Sequence, residues 1–520
     1  MSLYDIHQSL WQHSNINSDP FFMEDEHCVD EYAFSPPFFA AEDSREMSSS
    51  MQQYLESIFS DECMEFPQLV DEVQENYSKE DFQIDFDEFD LMIFKEDVDN
   101  DHDHDHAMDV CHESMQIPSL MVEGMEIIDN ELCLLHLLVA YAEAIDNQET
   151  LLSRVIIEHI IKKVNPFGGI VERVLYYMFR HLDKESDYII KESSSNFYAA
   201  FKAFYQIFPY GKFAHFVANS AIIENMPSDV DIIHIFDFDM GEGIQISSFL
   251  EEIEQHRCNI EVRVTSVRFG EDGEFFPHLI WNFEETKIRI CDHARSRGVN
   301  MKVEKVGFMD LECKMKNTME ECCGRKSWYV FNCMVGLPHM GRIRSKKCVF
   351  EFLKLAKNFL QNDTSFNKGI ITYGDGDFTW CSNMTTCGDR YTTFLDSNVT
   401  RFRAFLESME FGFPCHLGEA RVALESLFVA PYFSSIAVER KWEEKRQYGG
   451  DHHQVELLGM EGLRLSEKCI FEAIEMVNEG DNNNNDNNSP YGVRFASEKK
   501  NEMVMDWRGN PLVRVCCWKR

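Results

Sequence analysis

From Pro227 onward, short β-rich apolar runs alternate with helical stretches, and this alternation restricts the fold more than any other feature of the chain. Residues 232–238, 262–267, 301–306, 328–334 and 369–373 read as strands. Residues 245–255, 284–297, 344–360 and 390–409 read as helices between or after them. Such repetition implies parallel pairing through right-handed crossovers, with helices on both faces of the sheet. The carboxyl end departs from the pattern. Residues 491–495, 502–507 and 512–518 are three short β-like runs, and Arg508-Gly509-Asn510-Pro511 reads as a turn between the last two. The expectation is an α/β fold with a Rossmann-like core, a mainly parallel sheet and an antiparallel C-terminal edge.

Ahead of this core, from about Asn130, apolar residues fall at helical spacing. Leu132, Leu135, Leu138, Val139, Ala142 and Ile145 form one series; a second runs from Leu151 to Val164, before Pro166 and Gly168-Gly169 break the chain. Phe197, Ala200, Phe201, Phe204, Tyr205 and Phe208 form a third. Residues 126–226 are therefore expected to build a helical cap, and residues 227–520 the α/β core. Leu134-Leu135-His136-Leu137-Leu138 also matches LxxLL, a helix-in-groove docking string; in a leucine-rich helix, core burial is the favoured reading.

Charge separates a further segment. The chain carries 49 Lys+Arg against 90 Asp+Glu, net −41. Residues 1–125 hold 32 acidic and 3 basic side chains, against 58 and 46 in the remainder. This arm mixes acid with bulky apolar residues, as in the block from Asp81 to Phe94 that contains Phe82, Phe86, Phe89 and Phe94. Dense like charge disfavours collapse, so a disordered acidic arm with accessible aromatics is expected, the composition of an activation segment, with a solvated tail whose aromatics pack loosely on the body as the alternative. His102, His104 and His106 alternate with aspartates, but nothing completes a closed ligand set, so no metal site is expected.

The acidic balance excludes nucleic-acid binding through a general basic surface. Two local basic clusters stand out: Arg342, Arg344, Lys346 and Lys347, and Arg440, Lys441, Lys445 and Arg446. The second is the candidate for DNA contact, with a solvated helix face as the alternative. Seventeen cysteines without a CxxC pair indicate a reducing compartment rather than a disulfide scaffold. No run is long and apolar enough to span a bilayer.

The first strand ends in Asp239-Met240-Gly241-Glu242-Gly243, followed by Gln245 and a helix. D-x-G-x-G at this place lets a ligand approach bare backbone in a Rossmann-type fold, and S-adenosylmethionine-dependent methyltransferases begin their cofactor site this way. The second strand closes on Arg268-Phe269-Gly270, where an adenosine site expects an acid. No G-x-S-x-G, Walker A or HExxH string is present. His215 and His234 lie in apolar runs, as core histidines do.

The order of these blocks resembles the plant GRAS family of transcriptional regulators, from about Asn130 to Arg520. Residues 132–145 are similar to its first leucine-rich region. Ile232-Ile233-His234-Ile235-Phe236-Asp237 stands where the family has VHIID. Arg421-Val422-Ala423-Leu424-Glu425 resembles RVER, and Trp507 and Trp518 stand in the SAW block. Ile246 replaces a common tryptophan, and the PFYRE-like region around 285–306 matches loosely. Residues 213–224 and 330–340 are similar to the nodulation-signalling-pathway-2 branch, whose members act in root symbiosis with nodule bacteria or mycorrhizal fungi.

The resemblance implies a methyltransferase-like α/β core with a helical cap over residues 126–520, nuclear residence, no enzymatic activity and no cofactor. It implies homo- or heterodimers with other GRAS proteins, and action through DNA-binding transcription factors and coactivators. The alternatives are a methyltransferase using Asp239, Gly241 and Gly243, or direct sequence-specific DNA binding. Leu132, Leu135, Leu138, Val139 and Ala142 are the expected partner-binding residues. His234, Asp237, Asp239, Gly241, Gly243, Gln245, Arg421, Glu425, Trp507 and Trp518 are the expected motif core.

Overall fold

The computed structural model describes residues 119–179, 197–256, 260–268, 282–322, 324–340, 344–361, 368–376, 390–411, 413, 417–448, 460–478, 489–496 and 498–520. Phe82, Phe86, Phe89 and Phe94, the histidine run and Arg342 lie outside the described residues.

The strands are β1 (Ile232–Phe238), β2 (Glu261–Arg268), β3 (Asn300–Gly307), β4 (Ser327–Val335), β5 (Gly369–Asp375), β6 (Glu461–Gly462), β7 (Tyr491–Phe495), β8 (Glu502–Trp507) and β9 (Asn510–Lys519). They form one sheet in the order β3-β2-β1-β4-β5-β9-β8-β7, with β6 beside β9. The first five pair in parallel and the last strands antiparallel, as the alternation predicts. Every residue of β1 and β5 is buried. That is the reason these strands are continuous apolar runs rather than alternating ones: both sheet faces are covered. At the edge, β3 is mostly exposed and correspondingly charged.

Before β1 come α1 (Ser119–Asp146), α2 (Thr150–Ile161), α3 (Ile170–Phe179), α4 (Phe197–Ile207) and α5 (Pro209–Asn225). Between the strands lie α6 (Ile244–His256), α7 (Phe283–Ser296), α8 (Phe308–Glu321) and α9 (Lys346–Gln361). After β5 come α10 (Tyr391–Phe411), α11 (Gly418–Phe428), α12 (Ala430–Phe433) and α13 (Ser435–Tyr448); α14 (Glu467–Asn478) precedes β7. Among the described residues no helix is long and apolar enough to cross a membrane.

Successive strand side chains point to opposite faces. Ile233 and Ile235 join one core with α5, α6 and α7, while Phe236 and Phe238 join the other with α8 and α9. Helix α5 is buried on nearly all sides and packs on β5 and β9. It therefore belongs to the layer against the sheet and not to the cap expected over residues 126–226. The remaining amino-terminal helices find their packing partners far downstream. Tyr141 meets Tyr391, and Phe197 and Phe204 meet Phe428. Helices 391–448 thus complete the cap from the carboxyl side, a long-range contact that periodicity does not reveal.

Candidate functional site

The strand order reverses between β1 and β4, so the crevice at their carboxyl ends is the topological switch point where α/β folds take ligands. The turn after β1 has the geometry that D-x-G-x-G suggests. Asp239, Gly241 and Gly243 all have positive φ, at 66°, 61° and 70°. Aspartate tolerates this region better than most residues, and Arg344 holds it there with two hydrogen bonds, 2.7 Å from Nε and 2.8 Å from a terminal nitrogen. A Cβ on Gly243 would stand 2.2 Å from Ile290 Cδ1 on α7. Gly243 thus permits close helix packing.

Among the described residues the crevice is narrow. Phe201, Met240, Ile244, Met334, His339 and Met340 close over it and leave a void of about 10 Å³, the room of about one water. An adenosine-containing cofactor needs a pocket of roughly 300 Å³ or more. Arg268 ends β2, while Glu271 and Asp272 lie outside the described residues.

Beneath the void runs a buried polar row. Asp237, Asn332, Thr372 and Cys517 lie in register across β1, β4, β5 and β9. Asn332 is the hub: its Nδ2 donates to Asp237 (3.1 Å) and to Gln245 Oε1 (2.9 Å). Its Oδ1 accepts from Gln245 Nε2 (3.1 Å) and Thr372 Oγ1 (2.8 Å). These four bonds exhaust the hydrogen-bonding capacity of an amide. Asn219 on α5 extends the network to the Gln245 side chain and carbonyl. Burial pushes the Asp237 carboxyl up to about 8, reinforced by the charge of Asp239 and opposed by the Asn332 hydrogen bond.

The two histidines are core residues. Burial lowers both to about 3. His215 pairs with Tyr205 OH (2.9 Å); His234 stacks on Tyr329 and lies 3.3 Å from Cys322 Sγ.

Two polar clamps fasten the amino-terminal helices of the cap to its carboxyl-terminal helices. Arg173 and Glu425, both buried, form an ion pair, and Tyr177 OH donates to Glu425 at 2.8 Å. Arg421 stands at the rim, 3.6 Å from Glu425 and 3.3 Å from Glu410. The RVER-like residues are therefore a structural fastening. Burial raises the Glu425 carboxyl, and Arg173 opposes that shift. At the second clamp, Asp146 at the end of α1 caps α10, accepting from the backbone N–H of Tyr391 (2.6 Å) and Thr392 (3.1 Å). Burial would raise the Asp146 carboxyl, but hydrogen bonds from Thr392 outweigh it and hold it below the usual range.

Helix α1 divides the expected partner-binding set. Leu138 and Ala142 are 5% and 2% exposed and point into the core, so they are corrected to core residues; a partner cannot reach them. Leu134 is buried as well, which makes the LxxLL string a packing pattern. Leu132 (52% exposed) and Val139 (50%) face outward, with Leu135 half-buried beside them. Their spacing, i, i+3 and i+7, draws a seam along one helix face.

The candidate DNA-contact residues do not share an exposed face, which corrects that expectation. Lys441 is buried with its ammonium over the Phe402 ring, and Arg440 pairs with Glu444 at 3.5 Å. Lys445 lies over Trp442 and Phe394, leaving Arg446 exposed. Trp507 is buried edge-on between Phe411 and Tyr491, and Trp518 packs half-buried opposite Ile371.

The GRAS domain family model matches residues 134–519. Protein NODULATION SIGNALING PATHWAY 2 of Medicago truncatula is 26% identical over 330 residues, 62% of this chain and 58% of that protein. The protein of the same name from Lotus japonicus is 25% identical over 412 residues, covering 74% of this chain and 75% of that protein. The crystal structure of SCL7 in Oryza sativa aligns over 70% of this chain and 93% of that one, at a TM-score of 0.49 and 19% identity.

Proposed function

The chain belongs to the GRAS domain family, in its nodulation-signalling-pathway-2 branch, and from that premise we propose that it is a plant nuclear transcriptional co-regulator. In this reading it acts in nodulation, mycorrhizal symbiosis or root development. Its partners are other GRAS proteins, DNA-binding transcription factors and coactivators. Residues 1–125 serve as an acidic activation arm, and residues 126–520 as the docking body.

The observation that carries the proposal is the seam of exposed Leu132 and Val139 with half-buried Leu135 between them, on a cap whose two halves are clamped together. An apolar face held on a rigid support suits a protein partner. Among the described residues the crevice is lined by methionine, aromatic and amide side chains, so a cofactor-dependent role is the second reading and not the first.

Capture of partners from root extract by the full-length protein, followed by mass spectrometry, tests this reading. Leu132→Arg with Val139→Arg should abolish capture while the circular dichroism spectrum is unchanged; capture at undiminished strength overturns the seam. Fused to a heterologous DNA-binding domain, residues 1–125 should activate a reporter, and Phe86, Phe89 and Phe94 replaced by Ala should weaken it. The turn at Asp239, Gly241 and Gly243 favours a second reading, a methyltransferase. Calorimetric binding of S-adenosylmethionine that disappears in Gly241→Trp would establish it. Direct DNA binding ranks below both, because Arg446 alone of its four cations is exposed and without an aromatic or acidic neighbour described above.

A further inference from the structure

Members of the two basic clusters singled out in the sequence meet at one cavity. Arg344 and Lys346, at the start of α9, and Lys441, on α13, line a space of about 30 Å³ together with Asp375 and Glu444. Lys346 and Glu444 are 98 positions apart, yet the Lys346 backbone N–H donates to the Glu444 carboxylate at 3.4 Å. The cavity is partly open to solvent and lies at the carboxyl ends of β4 and β5. That is one strand along from the switch point, at the end of the sheet where α/β folds take ligands.

The charges around it favour an anion. Arg344, Lys346, Lys441 and neighbouring Arg440 stand against Asp239, Asp375 and Glu444, and the chain itself engages each of these carboxylates. Asp239 takes two bonds from Arg344. Glu444 takes Arg440 Nε at 3.5 Å besides the Lys346 N–H, and Asp375 accepts from Tyr373 OH at 2.7 Å. The positive end of α9 adds to the cations. Lys441 is 4% exposed, so an anion at its ammonium is attracted with little screening by water.

We propose that this cavity binds a phosphate dianion, either free or at the end of a small monoester. The inference goes beyond the docking reading above and does not depend on it. The space has room for about two waters, and phosphoryl oxygens take those places while the rest of the ligand stays at the mouth. A guanidinium supplies a planar fork and the ammonium groups supply point charges, a combination that suits phosphate oxygens. A monoester enters end-on and carries about −1.5 to −2 charge at pH 7. A diester carries a single charge and continues in two directions, so a recess of this size disfavours it.

Isothermal titration calorimetry on the full-length chain, with sodium phosphate and with glycerol 3-phosphate, reads the result against sodium chloride of equal ionic strength. Saturable binding at one site is expected, and the tighter of the two probes tells a free ion from a metabolite end. Lys346→Glu should weaken binding at least tenfold. Lys347→Glu makes the same change in net charge at an exposed position outside the cavity, and should stay within about twofold of wild type. Lys441→Met should also lose at least tenfold, its folding checked by circular dichroism without phosphate. Equal losses in Lys346→Glu and Lys347→Glu would mean diffuse attraction and overturn the proposal, as would a wild type without saturable heat. A DNA duplex with hydroxyl ends whose binding is lost in Lys346→Glu but kept in Lys347→Glu would overturn it in favour of a nucleic-acid backbone contact.

Discussion

Asp237 should make the protein less stable as pH rises, and replacing it with asparagine should remove that dependence. Its carboxyl is buried in the polar row, with its raised value of about 8 set first by burial. The unfolded chain has the ordinary value of 3.8. Below the unfolded value both states are protonated and the site contributes nothing. Between the two values the folded state binds the proton that the unfolded state has lost, so stability declines with pH until both are ionised. At about 1.4 kcal/mol per pH unit, the decline between pH 6 and pH 8 is about 2 kcal/mol. Asparagine keeps the shape and still accepts from Asn332 Nδ2. Urea unfolding of wild type and Asp237→Asn, followed by tryptophan fluorescence at both pH values, measures the difference. The wild type should lose about 2 kcal/mol more than the variant, and the variant should be the more stable protein at pH 8. Equal losses in the two proteins would refute the reasoning, because Glu242, Glu251 and other shifted carboxyls are common to both.

Glu425→Ala leaves buried Arg173 with only the exposed Glu410 carboxylate, 3.4 Å away, as counter-ion and should cost up to about 3–5 kcal/mol in urea unfolding, with Arg173→Met, Glu425→Met losing less than either single truncation. Asp146→Ala removes the cap of α10 and should cost about 1–2 kcal/mol, seen as a lowered thermal midpoint. Gly243→Ala should destabilise by about 1–3 kcal/mol through its positive φ and the Ile290 clash; Ile290→Ala added to it should relieve only the clash.

The core was legible because its determinants are local. Strands buried on both faces are mostly apolar, so β1, β4 and β5 announce themselves, and the tight Asp239–Gly243 turn locates the switch point. The antiparallel edge was equally plain from Arg508-Gly509-Asn510-Pro511. What could not be read depends on contacts between distant residues. Arg173 is the one clear hint: a charge inside the apolar helix sequence Ile170–Phe179 needs a buried partner, but Glu425 lies 252 positions away. Asn332 looked like any strand asparagine until register put it beside Asp237 and Gln245. Helical periodicity identified α1 as amphipathic and still assigned Leu138 and Ala142 to the wrong face, because a helix apolar on most sides does not say which stripe is covered.

The crevice shows why the D-x-G-x-G string alone cannot report a ligand. Its glycines satisfy two demands at once in a ligand-binding fold: the chain must reverse tightly after the strand, and its backbone must lie bare to the ligand. Here the first demand is met, and among the described residues the turn is taken up by the chain's own contacts. Gly243 faces Ile290, and Asp239 is occupied by Arg344. Asp237, Gln245 and Thr372 are tied to one another through Asn332, an asparagine with no capacity left over. A buried network of this kind is stable only when every member is matched. Any ligand entering the switch point would therefore have to break bonds within the chain before forming its own. The same closure gives the cap a rigid base: α5 crosses directly above the row and is tied to it through Asn219. Loosening the row with Asn332→Ala should thus lower stability without opening a cofactor site, and calorimetry with S-adenosylmethionine on that variant should remain flat. A binding heat that emerges only when Asn332 is removed would mean that the network plugs a working site instead of replacing one.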